Sequence, residues 1–237
     1  MNFIKKTIRY ALSPFIFLDY LKFNKLNTGR FSLKISDLYP CIKDKTFKTK
    51  FDAHYVYHTS WAARKVKEIN PIKHTDISSS LFFSGIVSAF VPVDFYDYRP
   101  ADLKLSNLVS KHADLTGLPF GDNSVNSLSC MHTIEHIGLG RYGDKIDSDA
   151  DLQAISELIR VLAKGGSLLF VTPVGKPKIE FNAHRIYSFE QITDYFKGLS
   201  LKEFTLVTDA GDYIENADPG LVAEQIYGCG CFWFIKK

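Results

Sequence analysis

From about Asp76 to the carboxyl end, short apolar runs alternate with segments of helical periodicity. That alternation restricts the chain to an α/β architecture, a parallel sheet with helices packed on both faces. The clearest unit lies within residues 151–172. Leu152, Ile155, Leu158, Ile159 and Leu162 form one stripe of a helix over 151–163, with charges opposite. Gly165-Gly166 is expected to end that helix through a left-handed C-cap. Ser167-Leu-Leu-Phe-Val-Thr172 is almost wholly apolar, as a central parallel strand buried on both faces must be. The remaining strands are expected at 72–77, 91–97, 111–114, 125–131, 201–207 and 231–235, with helices at 84–89, at 102–108 and from Ser188 onward.

A chain of 237 residues suits one such domain with an N-terminal extension better than two independent domains. Residues 1–70 are expected to form an amphipathic, aromatic-rich helical cap, and residues 71–237 the α/β domain. Apolar residues at 46% and charged residues at 23% describe a chain that folds throughout. The net charge of +3, with no basic stripe interleaved with aromatics, predicts no nucleic-acid partner. Cys41, Cys130, Cys229 and Cys231 show no C-x-x-C spacing, so neither a zinc knuckle nor a disulfide framework is expected. No metal-ligand set is evident at sequence range, and reduced thiols suit a cytoplasmic chain.

At the N-terminus, Phe3, Ile4, Ile8, Ala11, Leu12 and Phe15 fall on one helical face, with Lys5, Lys6 and Arg9 elsewhere. Pro14 and Asp19 interrupt the apolar run, which is shorter than the roughly 20 residues that span a bilayer. The segment suits either a helix packed on its own domain or a weak peripheral contact with the inner membrane face.

In an open parallel sheet, ligands bind beyond the carboxyl ends of the strands, where strand order reverses. Asp76, Ser78, Ser79 and Ser80 fall after the first strand, Asp97 at the end of the second, Asp114 and Leu115 after the third, and Met131 at the end of the fourth. Asp97 is placed to accept both hydroxyls of a ribose, and Asp114 to accept from an adenine amino group. The same two residues also suit turn caps, because Asp side chains bond nearby backbone donors.

Three stretches carry a family likeness: Ala113-Asp-Leu-Thr-Gly-Leu-Pro-Phe-Gly-Asp-Asn-Ser124, Met131-His-Thr-Ile-Glu-His136, and Glu157-Leu-Ile-Arg-Val-Leu-Ala-Lys-Gly-Gly-Ser-Leu-Leu-Phe-Val-Thr-Pro173. Over about residues 72–207 the chain resembles a class I S-adenosylmethionine-dependent methyltransferase. Ile179-Glu-Phe-Asn-Ala-His-Arg-Ile-Tyr-Ser188, with His54-Tyr-Val-Tyr-His58 and Trp61-Ala-Ala-Arg64, resembles a bacterial subgroup labelled DUF268. The resemblance implies a Rossmann-like fold with a mostly parallel seven-stranded sheet, order 3-2-1-4-5-7-6. It also implies S-adenosylmethionine as cofactor, and methyl transfer to a small molecule or a cell-surface glycan intermediate. The family's first motif is glycine-rich, whereas this chain carries Asp76-Ile-Ser-Ser-Ser-Leu-Phe-Phe-Ser-Gly85. Its loop is therefore expected to take a different path, with serine hydroxyls replacing some backbone donors. That departure keeps open an inactive binding or scaffold protein on the same fold. A nucleotide-sugar enzyme would need a phosphate-binding loop, and none is visible.

Histidine is the usual general base near neutrality. His136 after the fourth strand and His184 after the fifth are the catalytic candidates, with Glu135 orienting His136. His132, Arg185, Tyr187, Tyr55 and His58 are the candidates for binding the acceptor. Glu135-His136 also suits a helix-start pair, His184-Arg185 a pair that orders the cap through Tyr187, and the aromatic cluster simple core or lid packing.

Overall fold

The computed structural model describes residues 14–237, and the chain divides between Phe51 and Asp52 into two units. The segment from Phe3 to Leu12 lies outside the described residues. In the first unit, α1 (Pro14–Leu26) buries no side chain, and Phe15, Leu18, Phe23 and Leu26 are exposed. Among the described residues no helix is long and apolar enough to cross a membrane.

The second unit opens with α2 (Ala53–Ile69), whose N-cap Asp52 accepts from the Tyr55 amide at 3.1 Å. Trp61, Ala62 and Val66 of α2 are buried in the core of this unit, and Trp61 Nε1 donates to Glu203 at 2.9 Å. The division therefore falls at Asp52 rather than near residue 70, because α2 packs on the sheet. Then follow β1 (His74–Ile77), α3 (Leu81–Val87), β2 (Val93–Asp97), β3 (Leu108–His112), β4 (Val125–Met131), α4 (Ala150–Val161) and β5 (Leu162–Val174). The chain ends with a hairpin of β6 (Lys178–Glu180) and β7 (His184–Ile186), α5 (Phe189–Tyr195), β8 (Leu199–Val207), β9 (Tyr213–Ile214) and β10 (Gly228–Lys236).

The main sheet has eight strands in the order β3-β2-β1-β4-β5-β10-β8-β9. β10 and β8 hold the seventh and sixth places of the expected order, and β9 adds a two-residue edge. The first five strands pair in parallel, and β10 runs antiparallel to both β5 and β8. Side chains alternate between two buried faces, which explains the unbroken apolar runs. Leu128, Cys130, Leu168, Phe170, Phe232 and Phe234 meet α4 and α5. Met131, Leu169, Val171, Cys231 and Trp233 meet α2 and α3.

Two local expectations fail. Residues 102–107 form no helix: a turn links Leu105 to β3, with the Leu108 amide on the Leu105 carbonyl at 3.3 Å and Asn107 at φ 60. Asn tolerates the left-handed conformation that this turn requires. Gly165 does not cap α4: Leu162 is already extended (φ −62, ψ 127), and the positive φ of Gly165 (73) falls inside β5. There β4 pairs Val125 with Leu162 and Ser127 with Ser167, so the extra residues of β5 form a bulge that needs glycine.

Candidate functional site

The site is built at the carboxyl ends of β1, β2 and β4, over a floor whose polar groups satisfy one another. Asp76 is fully buried and accepts from Ser84 Oγ and from Ser129 Oγ, the latter at 2.5 Å. Because Ser129 gives its proton to Asp76, His74 Nε2 must donate to Ser129 Oγ at 2.9 Å, and His74 Nδ1 accepts from Ser127 Oγ at 2.8 Å. Burial raises the Asp76 carboxyl to about 6 against the pull of the serine hydroxyls, and burial lowers His74 to about 3.

Above this floor, Ser78 sits at φ 55 and His132 at φ 52, both left-handed without being glycine. Ser78 thus adopts the left-handed conformation that glycine favours. Backbone bonds hold both turns: Ser78 N to Tyr96 O at 2.7 Å, and His132 N to Val171 O at 2.8 Å. Conformations of this kind gather at ligand sites, where the surrounding structure over-determines them. Ser78 Oγ donates to Tyr96 O at 3.2 Å, and Ser79 Oγ accepts from the Met131 amide at 3.0 Å, so both hydroxyls are engaged within the protein.

Two cavities adjoin along a wall made of Ser78, His132, His136 and Tyr142. The first, of about 420 Å³, is lined by Asp97, Asp114, Leu115, Thr133, Gly138 and Asp144. Asp97 Oδ1 accepts from the Arg99 amide at 2.7 Å, and Asp114 Oδ1 accepts from Thr116 N at 2.9 Å and Thr116 Oγ1 at 2.7 Å. Each carboxylate thus shapes its own turn and also faces the cavity. One rim is the loop from Gly138 to Asp147, folded about Asp144, whose oxygens accept from the amides of Gly138 and Tyr142 at 2.7 and 3.2 Å. Burial opposes the Asp144 charge, but these backbone donors outweigh it and lower its pKa. Gly138 has φ 80, and a Cβ there would collide with the Asp147 carbonyl oxygen and lie 2.8 Å from Ala150 Cβ. Arg99 and Arg141 both approach the Tyr142 ring, with guanidinium carbons 4.6 and 5.1 Å from its centroid.

The second cavity, of about 700 Å³, is lined by imidazoles and phenols: His54, Tyr55, His132, His136, His184 and Tyr227. Ser79, Ser80, Met131 and Glu135 face this cavity rather than the first. Glu135 Oε1 accepts from His132 Nδ1 at 2.9 Å, while His132 Nε2 lies 3.4 Å from Cys229 Sγ. Burial works against the His132 charge, but Cys229 and Glu135 outweigh it and raise His132 to about 10. His136 Nδ1 lies 2.7 Å from the Ala183 carbonyl and 3.1 Å from Arg141 Nη1, and its Nε2 lies 3.8 Å from Glu135 Oε1. Burial lowers the His136 pKa, so the ring is neutral near pH 7. His184 Nε2 lies 3.2 Å from Glu180, and its ring packs 4.8 Å from Tyr227.

Four residues expected at the site do not line either cavity. Asp76 is part of the floor. His58 is fully buried behind His132, its Nδ1 donating to His54 O at 2.7 Å. Arg185 is buried and braces the loop, with Nη1 on Ile137 O at 2.6 Å, Nη2 on Ser148 O at 3.2 Å and Nε 3.5 Å from Asp151. Tyr187 donates to the same Asp151 at 2.9 Å. Glu135, expected behind His136, serves His132 instead. Sequence reasoning missed Arg99, Thr133, Gly138, Arg141, Tyr142, Asp144, Tyr227 and Cys229. Only the glycine spacing of residues 138–143 hinted at a built loop. It also missed that His54, His132 and Cys229 bring ligand atoms within 4.8 Å of one another, where no metal-binding set was expected.

This sheet order, with a ligand-sized cleft where the order reverses beside β1, defines a Rossmann-like protein of the class I methyltransferase architecture. A putative sarcosine dimethylglycine methyltransferase from Galdieria sulphuraria superposes with a TM-score of 0.55 at 14% identity, over 77% of this chain and 86% of that one. The YcgJ protein of Bacillus subtilis gives 0.53 at 12%, over 77% and 99%. A TehB-like SAM-dependent methyltransferase from Corynebacterium glutamicum gives 0.52 at 16%, over 74% and 87%. At such identities the likeness is one of fold. The chain belongs to the family described as Caenorhabditis protein of unknown function, DUF268, which matches residues 92–210. Among curated proteins no match is found.

Proposed function

We propose that the protein transfers a methyl group from S-adenosylmethionine, bound in the first cavity, to a small acceptor bound in the second. The observation that carries this reading is the shared wall. A cavity lined by Asp97, Asp114 and Leu115 meets a cavity lined by imidazoles, and Ser78, His132, His136 and Tyr142 border both. The first cavity fits an adenosyl ligand in size, and its two carboxylates suit a ribose diol and an exocyclic amine. S-adenosylmethionine supplies an electrophilic methyl group for in-line displacement, a reaction that positioning alone accelerates strongly. We assign His136, which borders both cavities, as the base that takes a proton from a hydroxyl, amine or thiol acceptor. The aromatic rings of Tyr55 and Tyr227 on the wall of the second cavity suit an acceptor of small size, a glycan intermediate included. The superposed methyltransferases from Galdieria and Corynebacterium support methyl transfer as the class of reaction.

The test is a search for S-adenosylhomocysteine formation with panels of small hydroxyl, amine and sugar acceptors, alongside direct titration with S-adenosylmethionine. Binding with turnover on an acceptor supports the proposal. Folded protein that binds neither S-adenosylmethionine nor S-adenosylhomocysteine contradicts it, and binding with no turnover on any acceptor favours a binding or scaffold protein.

A further inference from the structure

We propose that His54, His132 and Cys229 form a binding site for a divalent cation of the zinc class at the base of the second cavity. The three side chains come from the start of α2, the end of β4 and the start of β10, and their ligand atoms all lie within 4.8 Å of one another. His132 Nε2 and Cys229 Sγ are 3.4 Å apart. Two such ligands on a tetrahedral zinc, with bonds of about 2.0 and 2.3 Å, stand about 3.5 Å from each other. The pair is therefore already at the spacing that coordination requires. The His54 and His132 rings lie nearly parallel, 10° apart in plane and 5.9 Å between centroids, and the His54 ligand atom stands within 4.8 Å of the other two.

The groups behind the ligands strengthen the assignment. A metal-bound histidine almost always donates its other ring N–H to a carboxylate or carbonyl, which fixes the ring and raises its basicity. His132 meets that condition through Glu135 Oε1 at 2.9 Å. Two buried atoms beside His132, Glu135 Oε2 and His58 Nε2, have no hydrogen-bond partner, and the His58 ring packs edge-on to His132 at 4.9 Å. A cation bound at His132 adds positive charge beside these unpaired acceptors. Two imidazoles and one thiolate form a borderline-soft donor set that selects zinc or cobalt over magnesium or calcium. Three protein ligands leave a fourth position open, and because His54 and His132 line the second cavity, that position faces it. It suits water or an anionic oxygen or sulfur of a bound acceptor. The site does not depend on methyl transfer, because its occupancy is read with no methyl donor present.

The experiment is a titration of the metal-free protein with Co²⁺, followed by absorption, in a Cys41→Ser background that removes the one exposed thiol. One Co²⁺ per chain with a thiolate-to-metal charge-transfer band is expected. Cys229→Ser should abolish the band, and His54→Ala should weaken affinity by at least about tenfold, given the 10- to 100-fold effects of outer-shell changes alone. His54 is only half-buried in the first turn of α2, so its variant tests the site even if Cys229→Ser does not fold. His112→Ala, on β3 and outside the cluster, should change nothing. A folded Cys41→Ser chain with no charge-transfer band, or a band that survives in Cys229→Ser, overturns the proposal.

Discussion

Glu135 Oε1 lies 2.9 Å from His132 Nδ1 and 3.8 Å from Nε2 of His136, its neighbour in the chain. One carboxylate thus separates two imidazoles into two roles. His132 is held as a fixed, hydrogen-bonded ring, and His136, neutral near pH 7, borders both cavities.

If His136 is the general base, His136→Ala lowers turnover by about 10²–10⁴-fold on a protonated acceptor. The affinity for S-adenosylhomocysteine should stay within a few-fold of wild type, since the ring accepts a proton from the other substrate. Full turnover in the variant would leave positioning alone to carry the reaction.

Arg185 is predicted to be structural rather than substrate-binding. Removing it leaves Asp151 buried without its cation, and breaking a buried pair in this way costs about 3–5 kcal/mol. Arg185→Ala should therefore lower the urea midpoint strongly, and a variant as stable as wild type would return Arg185 to the list of acceptor contacts.

The Asp76 carboxyl gives a pH signature of unusual sign. Burial raises its folded-state pKa from 3.8 to about 6, so between those values the folded chain holds a proton that the unfolded chain has lost. Stability from this group is therefore lost as pH rises from about 4 to about 6. In Asp76→Asn that loss is absent, and relative to wild type the variant should gain about 2–3 kcal/mol across the window, at 1.36 kcal/mol per unit. Urea midpoints of both proteins from pH 4 to pH 7 measure it; a difference that does not change with pH contradicts the assignment.

The parts of the fold that were legible in the sequence are those where one face or both faces of an element are uniformly apolar. α4 shows a single stripe and β5 an unbroken run, and both elements stand where their patterns put them, although β5 starts earlier because its glycines form a bulge. β1 was only faintly legible. His74, Thr75 and Asp76 are polar yet buried, and their partners Ser127 and Ser129 lie about 53 positions along the chain. The strand-end aspartates that line the first cavity were legible because topology alone fixes where strand ends gather. Much of the second cavity was legible too, through Tyr55, His132, Glu135, His136 and His184, but not the approach of Cys229 to His132, since the two are 97 positions apart and meet only through the antiparallel return of β10. Arg185 and Tyr187 were misplaced for a related reason: polar residues after a strand look like ligands of a cleft until their buried partner, Asp151, is seen.

The most direct test of the account is calorimetric titration of S-adenosylhomocysteine into wild type and into Asp97→Ala. Asp97 is assigned both ribose hydroxyls, and hydrogen bonds to a charged group are worth about 1.5–3 kcal/mol each without full additivity, so the variant should lose about 2–4 kcal/mol of binding. That corresponds to an affinity roughly 30- to 1,000-fold weaker. Binding to wild type with a loss of this size in the variant is the predicted result, and equal affinity in the two proteins would contradict the placement of the methyl donor in the first cavity.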